Sequence, residues 1–155
     1  MLIEIENNAK CGIIVTKSDN ILEMKITGKL TEFSAGQLLK DIPLLTKEYD
    51  YRNYLFDLRS LNGTLGIGSS YFYIEHFSFE RSKNIAIVAP KESELYYSFI
   101  ETVAYNRCIN LRYFDLIENA KDWLEEEGLR DKKEQRCIAI NDKPSFRGSG
   151  DQKAG

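Results

Sequence analysis

The sequence predicts one α/β domain built on a mixed sheet, with antiparallel strands at the N-terminus followed by parallel strands joined by right-handed helical crossovers. Three observations carry that expectation. The stretches LIEIE (2–6) and ILEMKITG (21–28) alternate apolar and polar residues with a period of two. The runs YLFDL (54–58) and IAIVA (85–89) are short and almost continuously apolar, as strands covered on both faces are. Between and after them, apolar residues recur at helical spacing in segments long enough to cross over a sheet.

In chain order, 2–6, 12–16 and 21–28 read as two or three antiparallel strands, with Asp19-Asn20 turning between the last two. Thr31 caps a helix carrying Phe33, Leu38, Ile42 and Leu45, which Pro43 should kink or break before Tyr49. YLFDL is then a central strand. Asn62-Gly63-Thr64 turns the chain into a second helix over 65–77, whose Tyr71, Phe72, Tyr73, Ile74 and Phe77 make its surface aromatic. A second buried strand, 85–89, is stopped by Pro90, and a third helix over 93–106 should turn Leu95, Phe99 and Val103 inward. The last parallel strand is 109–114. A closing helix sets Ala120, Trp123 and Leu124 on one face, with Gly128 at its expected stop. Residues 1–128 thus form the domain, and 129–155 a charged C-terminal extension, low in apolar groups from 143 onward, in which 137–140 can add an edge strand.

Composition removes several function classes. The net charge is −3, with Lys and Arg scattered among Asp and Glu, so the basic footprint of a nucleic-acid binder is missing. No apolar run approaches the roughly 18 residues of a membrane span, and the opening MLIEIENNAK does not read as a signal peptide. Three widely spaced cysteines, Cys11, Cys108 and Cys137, suit reduced thiols and a cytoplasmic location.

Catalytic chemistry is thinly represented. The single histidine, His76, falls in the aromatic helix with no serine or cysteine at a recognisable spacing, and no Cys/His/Asp/Glu grouping has metal-ligand spacing. No catalytic residue, metal or cofactor is expected, and the chain reads as a non-enzyme. The glycine-rich GTLGIGSS (63–70) follows a strand and enters a helix, where backbone N–H groups can hold an anion. It lacks the glycine of a dinucleotide fingerprint, having Tyr71 there, and the Lys-Ser/Thr of a phosphate loop. Its glycines read as serving a tight turn and close packing of helix on sheet. Asp57, inside YLFDL, reads as a carboxylate that accepts hydrogen bonds from the following turn. Tyr71, Tyr73, Tyr96, Tyr97 and Tyr105 cannot all face one core, so some must be exposed or in a contact.

Residues 20–126 resemble the SpoIIAA-like branch of the STAS-type domains, named for bacterial anti-sigma-factor antagonists. The resemblance is carried by ITGKLT (26–31), YLFDLRSLNG (54–63), NIAIVAP (84–90) and above all RYFDLIENAKDWL (112–124), with Phe114, Ala120, Trp123 and Leu124 at the family's positions. It implies a bacterial regulatory domain whose partner is another protein. In those antagonists a partner kinase phosphorylates the serine of an Asp-Ser-Ser-Gly or Asp-Ser-Thr-Gly motif at the start of the second crossover helix. Here that place reads Asn62-Gly63-Thr64-Leu65-Gly66, leaving Thr64 as the nearest hydroxyl for phosphorylation. The fold also resembles apolar-ligand domains of the CRAL-TRIO type, which implies a second reading: binding of an apolar small molecule or lipid between the sheet and the second and third helices, lined by Phe72, Phe77 and Phe99. The leading expectation is a protein-interaction module whose surface comprises Asn62, Gly63, Thr64, Gly66, Tyr71, Tyr73 and His76. Its surplus aromatic residues suit a homodimer through Tyr71 or Tyr73 with His76 at the rim.

Overall fold

The computed structural model describes residues 2–6, 11–75 and 82–130. Strands β1 (Leu2–Glu6), β2 (Cys11–Lys17) and β3 (Ile21–Lys29) pair antiparallel, as the alternating N-terminal pattern predicts. Helix α1 (Glu32–Tyr49) crosses to β4 (Asn53–Asp57), and a two-residue strand β5 (Leu61–Asn62) precedes helix α2 (Ile67–Glu75). Strand β6 (Asn84–Val88), a short 3-10 turn (Lys91–Ser93), helix α3 (Glu94–Asn106), strand β7 (Asn110–Phe114) and helix α4 (Ile117–Leu129) follow. The strand order is β1-β2-β3-β4-β6-β7, parallel from β3 onward, with β5 beside the end of β3.

Every residue of β4 and β6 is buried, and alternate side chains serve opposite faces. Tyr54, Phe56, Ile85 and Ile87 join Leu38, Ile42 and Leu45 of α1 and Tyr97, Ile100 and Ala104 of α3 in the larger core. Leu55, Ala86 and Val88 meet Ala120, Trp123 and Leu124 of α4 in the smaller one. The continuous apolar runs are therefore what two covered faces demand. Helix α2 packs on α3 and α1 and adds only Ser70 to the fully buried set.

At the amino ends of the parallel strands, Asn53, Asn84 and Asn110 stand in register. The Asn84 side-chain amide donates to Asn53 Oδ1 at 2.8 Å, and Asn110 donates to Asn84 Oδ1 at 2.8 Å and to Glu127 Oε1 of α4 at 3.2 Å. Nothing in the sequence reading anticipated this ladder.

Local signals explain most element ends. Thr31 Oγ1 accepts from the Ser34 N–H at 3.1 Å while the Thr31 N–H donates to Ser34 Oγ at 2.7 Å, a reciprocal cap for α1. The expected break at Pro43 does not occur, and α1 runs unbroken through it. Leu38 and Ile42 before the proline and Leu45 after it are all buried, and that packing on both sides outweighs one lost backbone bond. Helix α3 buries Tyr97, Ile100, Val103 and Ala104, so the expectation for Val103 holds, whereas Leu95 is 88% exposed and Phe99 only half-buried. Leu95 lies in the first turn of α3, off its inward stripe. Gly128 does not stop α4, which continues to Leu129. The edge strand expected at 137–140 and the rest of the extension from 131 lie outside the described residues.

The turn after β4 is held by backbone bonds to β3. Gly28 and Lys29 pair with Leu61 and Asn62, and the Leu30 N–H donates to the Asn62 carbonyl at 2.7 Å. Gly63 then takes a φ of +89°, and a Cβ there would stand 3.2 Å from the Leu30 carbonyl. Only glycine fits both demands easily. Gly66 and Gly68 face open space, so the expectation of close packing of helix on sheet fails for them.

Two outcomes follow from this packing. Chemical denaturation of Trp123→Ala should show a loss of about 3–5 kcal/mol, because Trp123 lies buried against Phe114, with ring centres 5.7 Å apart; a loss under about 1 kcal/mol would mean that α4 is not docked this way. Gly63→Ala should lower the unfolding midpoint, whereas Gly68→Ala, inside α2 with free space, should leave it unchanged or gain up to about 1 kcal/mol.

Candidate functional site

Asp57 ends β4 at the carboxyl edge of the sheet, where the chain must leave toward α2. Its buried carboxylate accepts from the Arg59 backbone N–H at 3.1 Å and from the Arg59 guanidinium at 2.9 and 2.8 Å. Burial pushes the carboxyl upward, but the hydrogen bonds and charge of Arg59 overcome it and hold Asp57 below the usual carboxylate range. The aspartate thus orders its own turn, as its position in YLFDL suggests.

Beyond that turn the chain presents a polar, exposed segment. Asn62, Gly63, Thr64 and Gly66 are all exposed, and so is Tyr71 on α2. Five of the expected surface residues therefore lie along one stretch. Tyr73 does not join them: it is half-buried, and its hydroxyl donates to the Glu32 carbonyl of α1 at 3.2 Å. His76 lies outside the described residues. Tyr71 lies under the guanidinium of Arg107 at 5.6 Å, and Arg107 also pairs with Glu75, so the far end of α2 is clipped to the end of α3. Two apolar groups on the expected turn and aromatic helix extend it: Ile67 is 70% exposed and Phe72 50%.

Beneath α2 lies an apolar pocket of about 160 Å³, bounded by α1, α3 and the sheet through Leu38, Ile42, Ile74, Ile87 and Ile100. Near it the Ser70 and Tyr96 hydroxyls share a 2.6 Å hydrogen bond. Phe72 and Phe99, expected to line a ligand cavity, do not border it, and Phe77 lies outside the described residues. The volume is below the roughly 300–1,000 Å³ of sites for larger ligands and close to that of a cavity that admits benzene. Tyr97 closes the inner wall, stacked on Tyr113 at 6.1 Å, and burial raises its hydroxyl far above the ordinary tyrosine value. Tyr97 is buried, Tyr73 and Tyr96 half-buried, and Tyr71 and Tyr105 exposed, so the tyrosines divide as the helix geometry requires.

Among the described residues no three His, Cys, Asp or Glu side chains converge as a metal site, and no helix is long and apolar enough to cross a membrane. Cys11 is buried, its thiol donating to the Lys29 carbonyl at 3.4 Å. Cys108 is disulfide-bonded, which corrects the expectation of three reduced thiols and removes the argument from thiols to a cytoplasmic location.

No family model matches the chain, and no curated protein does. Solved structures do. An anti-sigma factor antagonist from Mycobacterium paratuberculosis superposes with a TM-score of 0.55 at 12% identity, over 78% of this chain and 99% of that one. An uncharacterised protein with a SpoIIAA-like fold from Shewanella loihica superposes with a TM-score of 0.51 at 20% identity, over 77% and 98%. At such identities the likeness concerns the path of the chain and not its chemistry. Antiparallel strands leading into parallel ones, four helices and these two superpositions together establish that this chain has the SpoIIAA-like fold.

Proposed function

We propose that the chain is a non-catalytic regulatory module that binds a protein partner through the turn at 62–66 and the outer face of α2. The observation that carries the reading is the exposure of Ile67, Tyr71 and Phe72 on a helix that packs chiefly on α1 and α3. Apolar and aromatic groups grouped beside a polar loop are the composition of an interface centre and its rim. The anti-sigma factor antagonist among the similar structures supports a partner that is itself a protein.

Thr64 is exposed at the start of this surface, within reach of a kinase. A phosphate there would add about two negative charges beside the apolar groups of α2 and weaken their docking. The same face serves a homodimer, in which Tyr71 and Phe72 of each copy meet across a two-fold axis. An apolar small molecule is the second reading. The pocket under α2 favours only a ligand of about benzene size, so a full-length lipid is disfavoured.

A photo-crosslinking residue placed at Phe72 in the living host should give a protein adduct that disappears when Tyr71→Glu is added. The same probe at Leu44, still more exposed on α1, should give none. An adduct with a second copy would identify the homodimer. Absence of any protein adduct, together with a bound apolar molecule in native mass spectrometry, would overturn the interaction reading.

A further inference from the structure

The side that α2 turns toward the core leaves open a space of the kind that protein interiors normally fill. Ser70, Tyr73 and Ile74, three and four positions apart on one stripe of α2, border the pocket of about 160 Å³ together with residues of α1, α3 and the sheet. Interiors hold few voids larger than a water molecule, and side chains around such a space lack contact atoms on that side. Among the described residues no charged side chain lines it, so an ion would give up its hydration there without a counter-charge. The occupant must be neutral.

Ser70 and Tyr96 add a polar handle to these apolar walls. Their hydroxyl oxygens lie 2.6 Å apart and share one hydrogen bond. Two hydroxyls carry two O–H protons and the shared bond uses one, so the pair keeps a second donor that no described residue accepts. Ser70 is only 2% exposed, which shuts its half of the pair off from bulk water.

We infer that the pocket is an effector site for a small neutral ring compound bearing one hydroxyl, of the size of phenol, and that its occupancy pins α2. The ring fills the apolar space, and its hydroxyl oxygen accepts the proton that the pair has left. Because α2 supplies one wall, the site is complete only while α2 is docked on α1 and α3, and a ligand of that site stabilises the docked helix by mass action. The other side of the same helix carries Ile67, Tyr71 and Phe72. An occupied pocket therefore steadies the surface proposed to meet a protein partner; that consequence rests on the proposed docking surface, whereas the binding does not.

Phenol is the probe, titrated into the full chain beside toluene, a ring of similar size without a hydroxyl. Phenol should bind with a Kd on the order of 1 mM or tighter. At a free concentration of about ten times Kd, the backbone amides of Ser70, Tyr73 and Ile74 should exchange about 10-fold slower, following 1 + [L]/Kd. In the double variant Ser70→Ala/Tyr96→Phe both partners of the shared bond go together, so neither is left orphaned. Phenol should weaken there by about 2- to 12-fold, the worth of one hydrogen bond, while toluene binds as before. Ile74→Phe, which fills the space from a half-buried position, should abolish the binding of both. No phenol binding at about 10 mM, roughly ten times the expected Kd, phenol bound without slower exchange in α2, equal losses of phenol and toluene in the double variant, or undiminished binding to Ile74→Phe would each overturn the inference. The two readings fail separately: a missing protein adduct at Phe72 counts against the docking surface, and these titrations count for or against the pocket.

Discussion

A row of three asparagine amides, two buried and one half-buried, fixes how the parallel strands sit beside one another. Asn53, Asn84 and Asn110 open β4, β6 and β7, and each side chain bonds the next across the sheet before the row ends on Glu127 of α4. In a buried strand with apolar residues on both faces, burial alone discriminates poorly between registers, because a slip of one residue still buries apolar side chains. An amide ladder discriminates well. Any slip would leave a buried donor or acceptor without a partner, at about 1–3 kcal/mol for each group.

With the amino ends aligned, the carboxyl ends are aligned as well, and that is where the functional surface is made. Asp57 lies opposite Val88, and the Leu58 N–H donates to the Val88 carbonyl at 2.7 Å, so the chain leaves β4 along a defined path. Arg59 locks that exit, β5 ties the next residues to β3, and Gly63 turns the chain into α2. Helix α2 is consequently suspended from α1 and α3 through Tyr73, Ser70 and the Arg107 pair, with little of its own side-chain area in the core. Its outer face stays available because the sheet does not need it.

Much of this was legible in the sequence wherever a periodic signal had one physical cause. The period of two in 21–28 and the unbroken runs YLFDL and IAIVA mark strands because few other structures demand those patterns. Trp123, Leu124 and Ala120 declare the face of α4 for the same reason. Pro43 misled because a local rule about one backbone bond was weighed without the buried Leu38, Ile42 and Leu45 around it. Gly66 and Gly68 misled because a glycine in sequence does not reveal whether its missing Cβ is needed, and here the space is open. The asparagine ladder escaped notice since each residue opens its own strand and looks like an ordinary turn residue; only strand order brings the three together. Which side of α2 faces out was harder to read, because a helix packed on its neighbours has no clean stripe, and Phe72 was expected both on the aromatic surface and in a ligand cavity.

A double-mutant cycle on Asn53→Ala and Asn84→Ala, followed by urea unfolding, addresses the register account most directly. If the amides act as a coupled row, the two losses should be non-additive by about 1 kcal/mol or more, since either change alone already breaks their shared bond. Losses that add to within about 0.3 kcal/mol would contradict the account and return the choice of register to apolar packing alone.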